Sequence, residues 1–398
     1  MLLIRPDGRP VDVDDPWWIN EWKSKGYREA TDDEVLDYRV KKDAALAPAA
    51  DYDPNVNLKV FYQTVAPGSD GYGMSRDIIK AELYQLGILL EENFDDQKIG
   101  LLYSYPNGIT QMKNDVRLVM TMFESDKIPE DWPEYLSAAD EVIVPSKFCA
   151  DTFERSGIAA TVVPLGYNDR VFKYIERTIP VEESQPFTFI HYGSFNMRKG
   201  FSEVFKAFND EFKNNEPVKL ILKTTDRRPA IPVMKDQYPN IEVVCGSLSE
   251  LELSDLLGRS NCMVYPSRGE GFGITPLEAM ATGLPAIVPN AHGISEYFNS
   301  NYMIEVKATD RCPGLYHRFK GEDVGEMVVC DLKDLRKKMR YAYNHQKEVA
   351  AMGKAASEYV KKYTYRITAE RLAEIFKKWQ ATETKKRKDT KFLQVEEV

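Results

Sequence analysis

From Asn57 onward, short apolar runs alternate with longer stretches in which apolar residues recur every three or four positions. The short runs cover residues 58–63, 99–103, 117–122, 141–144 and 161–163, and Ile79, Leu83 and Leu86 mark a helical face between the first two. Continuous apolar strands separated by amphipathic helices are what a parallel sheet covered on both faces requires. Residues 171–186 break the pattern with charge and proline, as a domain connection does. A second series then follows at 187–192, 218–223, 241–245, 262–265 and 286–288. The pattern predicts an α/β protein with two doubly wound, Rossmann-like domains in tandem, 57–172 and 186–345. From Asp331 the periodicity is helical, and Leu372, Ile375, Phe376 and Trp379 form a stripe that needs a groove. Helices over 346–380 are therefore expected to pack across the domains.

The ends differ in texture. Residues 2–5 and 10–13 flank Asp7-Gly8, a turn pair that predicts a hairpin, and Trp17, Trp18, Trp22 and Tyr27 follow it. Thr31-Asp32-Asp33-Glu34 has capping-box spacing for a short helix, and residues 44–54 read as an Ala-Pro linker. This appendage, residues 1–50, offers aromatics without clustered acids, bases or nucleophiles, so it reads as a docking or stabilising module. At the other end, residues 381–398 carry Lys385, Lys386, Arg387, Lys388 and Lys391 and read as a mobile basic tail.

Composition narrows the class. With 43% apolar and 29% charged residues the chain is globular rather than disordered, and a net charge of −9 argues against a surface built to coat nucleic-acid phosphates. The five cysteines contain no C-x-x-C pair, so neither a zinc knuckle nor a disulfide framework is indicated. No apolar run approaches the roughly 18 residues needed to span a bilayer. A soluble protein of a reducing, cytoplasmic compartment is expected.

The chemistry concentrates between Arg268 and Pro285. A strand running into Gly269, Gly271 and Gly273 lets the backbone turn sharply and approach a ligand. Thr275 then reads as a helix N-cap and Pro276 as the first helical residue, which creates an anion site. Glu270 in the loop and Glu278 in the first turn can face one cleft. Glu278 has a second reading, because Thr275-x-x-Glu278 is itself a capping box; Glu270, set between two glycines, has no such structural explanation. It suits recognition of sugar hydroxyls or the balancing of positive charge in a transition state.

This Glu-x7-Glu string, Glu-Gly-Phe-Gly-Ile-Thr-Pro-Leu-Glu-Ala-Met-Ala-Thr-Gly-Leu-Pro, resembles retaining GT-B glycosyltransferases of family 4. The resemblance implies two Rossmann-like domains facing a central cleft and transfer of a sugar from a nucleotide-diphosphate sugar to an acceptor hydroxyl. It implies that Glu270 serves the donor sugar and Glu278 the nucleotide ribose. Gly271 and Phe272 belong to the same loop, and the amides of Gly273, Ile274 and Thr275 would meet sugar or diphosphate oxygens. Lys199, before Gly200, corresponds to a phosphate-gripping lysine; the family's partner arginine falls at Ser194, and Arg198 is its substitute here. Lys223, Ser247 and Leu248 match where the family holds the nucleotide, and Gly71 and Gly73 its glycine-rich loop.

All four histidines, His191, His292, His317 and His345, lie outside the first domain, where many family members carry one. Tyr72, Glu124 and Asp126 are the acceptor-side candidates, with helix capping the other reading for Asp126. His191 reads equally as a satisfied strand-end residue, and Glu296 as a surface helix residue. The implied route needs no protein nucleophile, no cofactor beyond the nucleotide sugar and no Asp-x-Asp metal motif. The acceptor stays open among glycan, lipid, small molecule and modified DNA base. The appendage resembles modules of phage-encoded proteins, which gives one alternative, a transferase acting on hydroxymethylated DNA bases. A non-catalytic nucleotide-sugar-binding scaffold is another. A dinucleotide oxidoreductase is disfavoured, because position 76 is Arg76 where the third glycine of G-x-G-x-x-G would stand.

Overall fold

The computed structural model describes residues 2–4, 10–12, 28–31, 57–64, 71–92, 97–177, 185–225, 238–314, 316, 319 and 321–383. Strands β1 (Leu2–Ile4), β2 (Pro10–Asp12) and β3 (Arg28–Glu29) form a small antiparallel sheet in the order β2-β1-β3. Leu3 faces Val11 across the pairing that Asp7-Gly8 predicts. The tryptophans at 17, 18 and 22, Tyr27, residues 32–34 of the expected helix, the 44–54 linker and the lysines of the tail lie outside the described residues.

The first large sheet is parallel throughout. It contains β4 (Leu58–Thr64), β5 (Ile88–Glu91), β6 (Ile99–Tyr103), β7 (Val116–Met120), β8 (Glu141–Val144) and β9 (Ala160–Val162), in the order β5-β4-β6-β7-β8-β9. Helices α1 (Gly71–Gln85), α2 (Trp132–Leu136) and α3 (Lys147–Glu154) lie between these strands in the chain. β6 and β7 are buried at every position, which is why they read as unbroken apolar runs. β5 escaped the pattern because its apolar residues run on from those of α1, and only Gly87, at φ 76°, separates the two.

The second sheet is parallel as well. It contains β10 (Phe187–Gly193), β11 (Val218–Thr224), β12 (Ile241–Cys245), β13 (Cys262–Val264), β14 (Ala286–Val288) and β15 (Ile304–Glu305), in the order β12-β11-β10-β13-β14-β15. α4 (Phe201–Glu211), α5 (Glu250–Gly258) and α6 (Ile274–Ala281) connect them. An antiparallel pair that the sequence pattern did not show, β16 (Ala308–Pro313) and β17 (Glu326–Cys330), then reaches the first domain. There the Ser125 hydroxyl donates to Val324 O at 2.5 Å, and Asp126 pairs with Arg311 at 3.0 Å and accepts from the Glu326 amide at 2.7 Å.

Three helices end the described chain: α7 (Leu332–Asn344), α8 (Gln346–Tyr359) and α9 (Tyr365–Ala381). α8 packs on α6 of the second domain, whereas α9 returns to the first and packs on α1. The α9 stripe finds its groove there: Leu372 and Phe376 are fully buried, worth roughly 1.5–3 kcal/mol each against exposure. Where the chain returns, Tyr167 and Thr364 pair side by side, with the Tyr167 amide donating to Tyr363 O at 3.1 Å and the Tyr365 amide to Tyr167 O at 3.2 Å. A Cβ on Gly166 would lie 2.1 Å from the backbone carbon of Thr364. Gly166→Ala is accordingly expected to destabilise the fold by about 1–3 kcal/mol, read as a drop in chemical-denaturation midpoint. An unchanged midpoint would show that the crossing yields without cost. Among the described residues no helix is long and apolar enough to cross a membrane.

Candidate active site

In open parallel sheets ligands bind beyond the carboxyl ends of the strands where the strand order reverses. In the second sheet that point lies between β10 and β13. Two sequence-predicted segments meet there: the single turn Met197–Lys199 after β10 and the glycine loop after β13. A cavity of about 570 Å³ opens beside them, and residues of both domains line it.

Glu270 is the electrostatic centre. Its Oε1 accepts from Lys199 Nζ at 2.6 Å, Ser267 Oγ at 2.6 Å and Tyr265 Oη at 2.8 Å, with Arg198 Nη1 at 3.3 Å. Burial alone would raise this carboxyl, but Lys199 and Arg198 hold it well below the usual carboxylate range, so it is an anion. Arg198 also donates to Gly269 O at 2.6 Å and lies 3.6 Å from Glu124, which comes from the loop after β7. A Cβ on Gly269 would fall 2.3 Å from Glu124 O, so only glycine lets these two loops touch.

Glu278 behaves oppositely. Burial pushes its carboxyl up to about 8, with Glu250 adding to the rise and the Tyr192 hydroxyl, donating at 2.6 Å, opposing it. Burial thus favours the protonated form of this carboxyl. The structure also corrects the expected helix start. α6 begins at Ile274, with Gly273 as N-cap, rather than at Pro276 with Thr275 as N-cap. Gly273 adopts φ 88°, which closes the turn two residues early, and Tyr297 Oη fixes it by donating to Gly273 O at 2.5 Å. Glu278 is thus engaged by Tyr192 and not in a capping box. No side chain caps α6, and Ile274 and Thr275 of its first turn, whose N–H groups lack intrahelical partners, line the cavity.

Gly271, Phe272, Gly273, Ile274 and Thr275 all line the cavity, as do Lys223, Ser247 and Leu248. Lys223 donates to Gly246 O at 2.8 Å, and burial lowers its amine to about 8. From the first domain come Tyr72 and Glu124. Gly71 and Gly73 belong to the first turn of α1 rather than to a loop, Gly73 is not among the residues that line the cavity, and residues 65–70 before them lie outside the described set. Asp126 is directed to the β16–β17 pair rather than to a helix end, and it is not among the residues that line the cavity.

Several contributors were not singled out from the sequence. Tyr192, Tyr265 and Ser267 sit at strand ends, where an aromatic or a serine looks like core or loop. His292, at φ 44°, contacts Ser267 O through Nε2 at 3.0 Å and steadies the residue that donates to Glu270. His191 is a buried sheet residue and only half satisfied: its Nδ1 meets Val264 O at 2.7 Å, its Nε2 has no hydrogen-bond partner among the described residues, and burial lowers its pKa to about 4. Glu296 is not a free surface acid, since it accepts from the Lys147 amide at 2.8 Å and caps α3 across the domain boundary. Ser146 joins the same contact by donating to Gly271 O at 2.7 Å.

Residues 173–359 match the model of the family described as glycosyl transferases group 1. A putative glycosyltransferase of Acidianus filamentous virus 1 is 32% identical over 120 residues, 30% of this chain and 37% of that protein. An uncharacterized glycosyltransferase of Methanocaldococcus jannaschii is 23% identical over 234 residues, 55% of this chain and 63% of that one. The chain thus spans less than two thirds of the curated relatives it matches. Among solved structures, sucrose-phosphate synthase from Thermosynechococcus elongatus superposes with TM-score 0.62 at 15% identity, covering 81% of this chain and 99% of that one. Anabaena HepE in complex with UDP-glucose gives 0.61 at 12% identity, covering 80% and 99%. Residues 173–359 therefore resemble the glycosyl transferases group 1 family, and the two parallel sheets with their flanking helices form a GT-B fold.

Proposed function

We propose that the protein is a retaining glycosyltransferase of family 4 type that moves a sugar from a nucleoside-diphosphate sugar to an acceptor hydroxyl. The observation that carries this reading is the convergence of Lys199, Arg198, anionic Glu270 and the uncapped start of α6 on one cavity at the strand-order reversal. The diphosphate sits against Lys199, Arg198 and the first turn of α6, the ribose at Glu278, and the base toward Lys223, Ser247 and Leu248. HepE, with the same fold, is a neighbour solved with UDP-glucose, which supports a nucleotide-sugar donor.

The chemistry follows from charge. As the bond between the sugar C1 and the diphosphate oxygen breaks, negative charge grows on the diphosphate beside two cations and a helix start. Positive charge grows on the sugar ring beside Glu270. The acceptor oxygen bonds to C1 on the face the diphosphate leaves, and its proton passes to the departing phosphate oxygen. Residues of both domains enclose the site, which limits competing attack by water.

The test is thermal stabilisation by UDP-, GDP-, ADP- and TDP-sugars, since a ligand that binds only the folded state raises its melting temperature. At a concentration of about 100 Kd the stabilisation approaches 2.7 kcal/mol, a shift of several degrees. One nucleotide class is expected to give that shift, and the anomeric configuration of the product, read by NMR, then reports retention. No shift with any member of the panel would reject the reading.

A further inference from the structure

Arg198 is shared by carboxylates from both domains. Glu270, from its own domain, lies 3.3 Å from Nη1, and Glu124, from the first domain, lies 3.6 Å from Nη2. With Lys199 on Glu270 at 2.6 Å, two cations and two carboxylates cancel in the place where a diphosphate must bind. A diphosphate that engages Arg198 competes with these carboxylates for the guanidinium.

The two are not equally held. Glu270 also accepts from Ser267 and Tyr265, and its side chain is 8% exposed. Glu124 meets Arg198 at the longer distance, its side chain is 27% exposed and lines the cavity, and Arg198 is its ion-pair partner among the described residues. Nη1 already donates to Gly269 O at 2.6 Å, so the edge open to a phosphate is that of Nη2, which Glu124 occupies, and a charge-assisted hydrogen bond there is stronger than an ion pair at 3.6 Å.

We propose that Glu124 is an exchange carboxylate: it neutralises Arg198 in the empty cleft, is displaced when the donor diphosphate takes the guanidinium, and then receives the acceptor hydroxyl. This rests on the nucleotide-sugar reading above. Its consequence is an order of binding. Until the donor arrives, the acceptor's hydrogen-bond partner is occupied, so the acceptor binds second and the donor is not displaced by it. Glu124 is a positioning residue in this scheme and takes no proton.

The experiment titrates UDP, GDP, ADP and TDP by calorimetry into wild type, Glu124→Gln, Arg198→Gln and the double variant. Glu124→Gln is expected to tighten the preferred nucleoside diphosphate about fivefold, the scale of a partly exposed ion pair. The gain should vanish in the Arg198→Gln background, because the competition it removes is for that guanidinium. Glu124→Asp, too short to keep the contact, should shift affinity in the same direction and guards against a glutamine-specific effect. Unchanged or weaker binding in folded Glu124→Gln, or a gain that persists without Arg198, overturns the exchange while leaving the transferase reading intact. Wild type that binds none of the four diphosphates overturns both.

Discussion

Replacing Glu270 by Gln is expected to lower kcat by about 10²–10³-fold while the donor KM stays level or falls. The asymmetry comes from the charges around it. The carboxylate is anionic because Lys199 and Arg198 face it, and removing its charge leaves both cations in place for the diphosphate. Ground-state binding of the donor therefore does not weaken. What is lost is the negative charge beside a sugar ring that becomes positive only in the transition state, and such a loss appears in kcat. Gln keeps the shape and can still accept from Ser267 and Tyr265, so the protein should remain folded. Steady-state kinetics with the donor identified by stabilisation decide the matter. A KM that rises at constant kcat would make Glu270 a simple sugar-binding residue, and unchanged kinetics would remove it from the site.

The second large effect concerns pH. Glu278 is pushed up to about 8 by burial, with Glu250 adding to the rise and Tyr192 opposing it; Tyr297 and Tyr365, whose hydroxyls burial keeps well above 10, stay neutral beside it. A ribose diol donates hydrogen bonds and so prefers the ionised carboxylate. Donor affinity is then expected to climb by up to about tenfold per unit between pH 6 and 8 and to level off above, with proton release on binding below that point. The sign for stability is the reverse. The folded value lies above the unfolded 4.5, so the contribution of Glu278 to folding is complete below 4.5 and is lost as pH rises through about 8. Glu278→Gln should abolish the pH dependence of affinity. Calorimetry in buffers of different ionisation enthalpy measures the proton directly, and a pH-independent affinity in wild type would show that the ribose does not meet this carboxyl.

Most of the architecture was legible in the chain because parallel strands buried on both faces leave a plain signal of unbroken apolar runs. β5 was hidden by the neighbouring helix, and β15, two residues long, by its brevity. In the site, Glu270 stood out because no local structural need explains a carboxylate between two glycines. The helix start was misplaced for the complementary reason: Thr275-Pro276 makes a good cap locally, but Gly273 with Tyr297, 24 residues away, makes a better one. Asp126 shows the same limit, since its partners Arg311 and Glu326 lie 185 and 200 residues further along the chain. Short-range chemistry is written in the sequence, whereas which of several competent acids meets which distant partner is decided by packing.

The return of α9 to the first domain means that the second domain is, in effect, spliced into the first. The chain leaves after Tyr167 and comes back at Thr364, and these two passages run beside each other. The two passages are tied to each other by a pair of backbone hydrogen bonds on either side of Thr364. The same layout means that no single cut in the chain separates the domains, so a fragment ending before α9 would leave the first sheet's helix α1 uncovered.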